Sequence, residues 1–127
     1  MMAKSEDRSA TGSVHGNVLV IKIQVEQVRD PETSYALRDE ILRLVDSAKP
    51  SHIAMDFCRV AFMGSVGLLS LLAVRRRLQG GRIVICNCSE SIRRMFEVCQ
   101  LLSRDPSAAA PFEAADSREE ALARLSG

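Results

Sequence analysis

The chain is expected to be a single α/β domain: a mixed, mostly parallel sheet of four to five strands with about four helices. Three features predict this. Short β-branched runs alternate with longer stretches of helical period, and strands joined through helices need crossovers, which make neighbouring strands parallel. Gly16-Asn17 carries hairpin-turn chemistry, which puts one antiparallel strand at an edge. The 127 residues show no repeat and no second compositional block, enough for one core.

Residues 1–13 are small, polar and charged, and are expected to form a flexible arm, mobile at least as far as Arg8, ahead of a domain over 14–127. At the end of the arm, residues 11–14 are a candidate short edge strand. Residues 18–25, VLVIKIQV, then place Leu19, Ile21, Ile23 and Val25 on one face and Val18, Val20, Lys22 and Gln24 on the other. Asp30-Pro31 starts a helix, with Asp as N-cap and Pro at the first helical position. Leu37, Ile41, Leu44, Val45 and Ala48 form its apolar stripe, Asp39 and Arg43 are spaced to pair on its outer face, and Pro50 ends it.

Residues 53–57 read as the next strand. A helix follows over residues 65–78, stopped by Gly80-Gly81. Residues 82–88, RIVICNC, are a further core strand. Ser89 caps a helix expected to continue to Leu102, with Ile92, Met95, Phe96, Cys99 and Leu102 facing in. An alanine-rich connection after Asp105-Pro106 leads to a short edge strand over residues 111–113. Ser117-Arg118-Glu119-Glu120 is a capping box for a last helix anchored by Ala121, Leu122 and Leu125.

Composition narrows the function. With 46% apolar and 26% charged residues and a net charge of +1, nothing favours general nucleic-acid or membrane binding. Four Phe, one Tyr and no Trp argue against a base-stacking platform. Cys58, Cys86, Cys88 and Cys99 lie in or beside apolar runs, and Cys86-Asn87-Cys88 lacks the spacing of a zinc knuckle, so free thiols in a reducing cytosol are expected and no metal or other cofactor. No apolar stretch reaches about 18 residues and no signal-peptide pattern is present, so a cytoplasmic protein is expected.

The chemistry concentrates at Phe62-Met63-Gly64-Ser65-Val66-Gly67-Leu68, where a serine opens a leucine-rich helix after a strand. A nucleophile elbow needs Gly two residues before the serine, and Met63 stands there. A phosphate-cradling loop needs Gly-Lys-Ser/Thr, and Gly67 is followed by Leu68-Leu69. Only His15, near the arm, and His52, at a strand start, are available to a triad. Catalysis is therefore not expected. At 100° per residue, Gly67, Leu68, Leu71, Val74 and Leu78 face the sheet, while Ser65, Val66, Leu69, Ala73, Arg76 and Arg77 face away with Leu72 on the border. An outward face that is apolar beside a serine is either scattered surface apolars or a docking patch. Ser65 itself is either a helix N-cap or a modifiable hydroxyl.

The heptapeptide resembles the F-M-D-S-S-G-L motif of bacterial anti-sigma factor antagonists, in the STAS domain family. Gly80-Gly81-Arg82-Ile83-Val84-Ile85, Ser89-Glu90-Ser91-Ile92-Arg93-Arg94-Met95-Phe96, and Phe112 with Ser117-Arg118-Glu119-Glu120-Ala121-Leu122 resemble three further motifs of that family, in the same order. The resemblance covers about residues 14–125. It implies a STAS fold and a non-catalytic antagonist that binds an anti-sigma factor/serine kinase, is released when that kinase phosphorylates it at Ser65, and is restored by a serine phosphatase. It also implies a partner surface over residues 63–73 with neighbouring loops, and together with the outward helix face the expected surface residues are Met63, Gly64, Ser65, Val66, Leu69, Leu72, Ala73 and Arg76. Two positions depart from the motif: Gly64 stands where the family has an acidic residue, and Val66 replaces the second Ser or Thr. The family's G-E-[LFV]-D turn is replaced by Val25-Glu26-Gln27-Val28-Arg29-Asp30, longer and without its Gly. A STAS regulatory subunit of a transporter or signalling scaffold, not phosphorylated, is the alternative.

Overall fold

In the computed structural model, which describes residues 8–103 and 110–126, a six-stranded sheet runs in the order β1-β2-β4-β6-β8-β7. Its strands are β1 (Ala10–His15), β2 (Val18–Ile23), β4 (His52–Asp56), β6 (Ile83–Cys86), β7 (Leu102–Ser103) and β8 (Phe112–Ala115). β1 is antiparallel to β2 through the turn at Gly16, which takes φ +63°, a conformation glycine adopts freely. Every other pairing in the sheet is parallel. A separate two-stranded parallel ladder joins β3 (Gln27–Val28) to β5 (Phe62–Met63).

The sheet is larger than the four to five strands expected, and β7 is the addition. The third helix, α3 (Glu90–Val98), stops before Leu102 rather than reaching it. Gln100 adopts φ +61°, Leu101 N–H donates back to the Phe96 carbonyl at 2.8 Å, and Gln100 N–H donates to that of Glu97 at 2.9 Å. That is a Schellman termination. It frees Leu102 to enter the sheet and leaves Cys99 exposed instead of facing in. At the other end, β1 begins at Ala10, inside the stretch expected to be an arm. Residues 1–7 of that arm and the connection at Asp105-Pro106 lie outside the described residues.

Alternation along β2 sends Leu19, Ile21 and Ile23 to one face and Val18 and Val20 to the other, as the sequence pattern requires. The first face carries the main core beneath α1 (Pro31–Ala48), α2 (Ser65–Arg77) and α3, where Phe57 and Phe96 meet edge-on at 6.0 Å and Phe96 meets Phe112 at 6.2 Å. The second face is closed by α4 (Arg118–Ser126) through Ala121 and Leu125. Ser117 caps α4 by accepting from Glu120 N–H at 3.1 Å, and Glu120 reaches back to Asp116 N–H at 2.8 Å. Asp30 caps α1 from Thr33 N–H at 3.0 Å.

At the end of β4, Asp56 is a buried carboxylate that ties three segments together. It accepts from Cys58 N–H at 2.9 Å, from Asn87 Nδ2 at 3.1 Å and from Arg118 at 2.9 Å. On α1, Arg43 pairs with Glu40 at 2.7 Å, while Asp39 pairs with its neighbour Arg38, so the expected Asp39–Arg43 pair does not form.

Candidate functional site

The β3/β5 ladder positions the start of α2. Ala61 and Phe62 N–H both donate to the Glu26 carbonyl, at 2.8 and 3.1 Å, and Gly64 N–H donates to that of Val28 at 2.9 Å. The stretch that replaces the family's turn is thus a structural clamp on the residues just before Ser65. Gly64 is the N-cap of α2, in an extended conformation with φ −90° and no side chain to cap with. Ser65 is the first helical residue rather than the cap, and its exposed hydroxyl has no partner among the described residues. The first helical hydrogen bond runs from Leu68 N–H to the Gly64 carbonyl at 3.1 Å, so the N–H groups of residues 65–67 are the unpaired positive end of the helix.

Gly67 lets this end sit close to the ladder. A Cβ there would stand 2.7 Å from Met63 Cγ and 3.0 Å from Val28 Cγ1. From that point α2 is two-sided. Gly67, Leu68, Ser70, Leu71 and Val74 are buried, and Leu69 is 63% exposed. Val66, Leu72 and Ala73 are half-buried around Leu69, and Arg76 is exposed further along. Seven of the eight expected surface residues, Gly64, Ser65, Val66, Leu69, Leu72, Ala73 and Arg76, therefore lie at least partly open. Met63 does not: it is 1% exposed and its side chain supports the helix from below.

The structure adds residues that sequence reasoning missed. Phe62 is 40% exposed, with the Arg29 guanidinium 4.6 Å from its ring centroid. Tyr35 on α1 is exposed, with Arg38 stacked at 4.9 Å. A two-residue strand carries no period to show which way Phe62 faces, and pairing of Gln27 with Phe62 is a long-range event without a local signal. Between α1 and α2 a groove of about 470 Å³, lined by Arg38, Asp39, Leu42, Ala73, Arg76, Arg77 and Gln79, continues the open face.

Neither histidine adjoins Ser65. His15 Nε2 lies 3.1 Å from Ser13 Oγ on the edge strand, and His52 Nδ1 accepts from Arg82 N–H at 3.0 Å, at the start of β4. Burial pushes the Cys86 and Cys88 thiols up to about 12 and also raises Cys58, so these groups stay protonated and poorly nucleophilic. Among the described residues no three His, Cys, Asp or Glu side chains converge to hold a metal. No described helix is long and apolar enough to cross a membrane.

Solved structures share this fold. An anti-sigma factor antagonist from Mycobacterium paratuberculosis superposes with a TM-score of 0.76 at 23% identity, over 99% of this chain and 100% of the other. The anti-sigma factor antagonist SpoIIAA in its unphosphorylated form gives 0.65 at 23%, over 93% and 98%. The Bacillus cell fate determinant SpoIIAA in its phosphorylated form gives 0.63 at 24%, over 91% and 98%. At these identities the likeness establishes the fold. The family itself is established by the match of residues 12–113 to the model of the STAS domain, and the chain belongs to the STAS domain family.

Proposed function

We propose that this chain is an anti-sigma factor antagonist of a partner-switching pathway. It docks through the open face of α2 onto an anti-sigma factor that is also a serine kinase, and phosphorylation at Ser65 releases it. A serine phosphatase restores the binding form, the chain acts in the cytoplasm as a regulator rather than a catalyst, and it needs no nucleic acid, membrane or cofactor. The observation that carries this reading is the juxtaposition of a Ser65 hydroxyl that has no partner among the described residues with the 63% exposed Leu69, on a helix whose opposite side is core.

The energetics favour release over unfolding. A phosphate adds about −1.5 to −2 charges at the positive end of α2, which stabilises the free domain by roughly 0.3–1 kcal/mol. Inside an apolar interface the same charge loses its solvation at an effective penalty of several kcal/mol. A net loss of about 4 kcal/mol weakens binding on the order of a thousandfold.

The test is co-expression with candidate anti-sigma kinases, followed by intact mass measurement. The expected result is a gain of one phosphate that disappears in Ser65→Ala. No gain, or a gain that persists in the variant, sinks the reading. Gly64 and Val66, which replace the family's acid and second hydroxyl, favour a second reading in which the STAS surface docks without modification, as a regulatory subunit of a transporter or scaffold. Partner capture with no phosphate on Ser65 would support it.

A further inference from the structure

We infer that Arg29 receives the phosphate carried by Ser65 and makes the modified state an ion-paired one, an inference that rests on Ser65 being a phospho-acceptor. Gln27 pairs with Phe62 and Val28 with Met63 in a parallel register. The next residue on one strand is Arg29 and on the other Gly64, so Arg29 stands beside the residue that precedes Ser65. The backbone bears this out: a Cβ built on Gly64 would lie 3.8 Å from the Arg29 carbonyl and 3.7 Å from Phe62 Cε2.

The guanidinium is held ready. Its Nε donates to Gln27 Oε1 at 2.6 Å, and its carbon lies 4.6 Å from the centroid of Phe62, the ring whose edge reaches Gly64. Both terminal nitrogens are left without a partner among the described residues. A planar guanidinium with two open N–H₂ groups matches a phosphate dianion bidentately. The other arginines of this face serve elsewhere. Arg75 donates to the Leu78 carbonyl, Arg77 pairs with Asp46, and Arg38 pairs with Asp39. Arg76 lies roughly 16 Å along the helix from Ser65. Gly64 completes the arrangement, because it brings no carboxylate of its own to the start of the helix, where a second negative charge would repel the phosphate.

The test installs phosphoserine at position 65 of the full chain during translation, which needs no kinase, and follows its second ionisation by phosphorus NMR. The expected result is that Arg29→Ala raises that pKa by about half a unit or more, while Arg29→Lys, which keeps the charge without the fork, falls between. Thermal melts of the unphosphorylated variants should match the parent. Superimposable titrations for parent and Arg29→Ala overturn the inference. So does a shift that Arg29→Lys fails to reduce, which would mark Arg29 as a packing partner of Phe62 only. Failure of every kinase to modify Ser65 would instead sink the antagonist reading and leave this titration unaffected.

Discussion

Gly64 N–H donates to the Val28 carbonyl at 2.9 Å, and this bond couples the start of α2 to the segment that leads into α1. It sets the two glycines that flank Ser65 apart. Gly64 is in ordinary extended backbone with φ −90°, and an added Cβ would find its nearest neighbour at 3.7 Å. Gly67 has Met63 Cγ at 2.7 Å from the same construction.

Substitutions at the two positions should therefore act in opposite directions. Gly64→Asp supplies the missing side-chain cap and a negative charge at the helix's positive end, for a gain of about 0.5–1 kcal/mol. Gly67→Ala should lose about 1–3 kcal/mol by forcing Met63 and Val28 apart. Ser65→Ala should stay within about 0.5 kcal/mol of the parent, because Ser65 is not the cap. Urea melts of the three variants check all of this, and a large loss in Ser65→Ala would return the hydroxyl to a structural role.

Ser70 is buried on α2, and its Oγ has no hydrogen-bond partner among the described residues. A buried hydroxyl left unsatisfied costs about 1–3 kcal/mol, so removing it should help. Ser70→Ala is expected to be neutral or to stabilise by up to about 1 kcal/mol, after allowance for the small packing loss. Denaturant midpoints at constant slope would show it.

Asp56 predicts a pH dependence. Burial raises its pKa, but the hydrogen bonds from Asn87, Cys58 and Arg118 together outweigh burial and hold it below the ordinary carboxylate value. A depressed pKa means that the unfolded chain binds the proton more readily. The stabilisation is thus fully present above the unfolded value of about 3.9, and is lost as pH falls through the lower folded value. Asp56→Asn should cost about 1–3 kcal/mol at neutral pH, since Arg118 loses its partner while remaining partly solvated. The gap between variant and parent should narrow only below about pH 4. A gap that is constant down to pH 2 would mean that the charge plays no part.

The large elements were legible because each carried a period or a cap: the alternating β2, the Asp30-Pro31 start of α1, and the leucine face of α2. What escaped was short or non-local. β3, β5 and β7 have two residues each, too few for any alternation to show. α3 ends at a left-handed Gln100, where sequence would look for glycine. On the outward face of α2, helical geometry found Leu69 and Ala73. It had no means of showing that Met63 turns inward or that Arg29 stacks on a Phe62 ring whose edge reaches Gly64, because both depend on pairing between residues 35 positions apart.

The proposed docking face is best tested by one residue on each side of α2. Leu69 is 63% exposed, so Leu69→Glu removes little buried area and should leave the thermal melt within about 0.5 kcal/mol of the parent. Leu71, fully buried in the main core, should lose about 2–5 kcal/mol on truncation to Ala. If the face is where a partner binds, Leu69→Glu should abolish capture of the co-expressed anti-sigma factor, because it sets an unpaired carboxylate in the centre of an apolar contact. A destabilising variant acts through the amount of folded chain, and raising the protein concentration should restore its binding. Leu69→Glu should not be rescued that way. Unimpaired capture by Leu69→Glu would show that the apolar residues around Ser65 are ordinary surface.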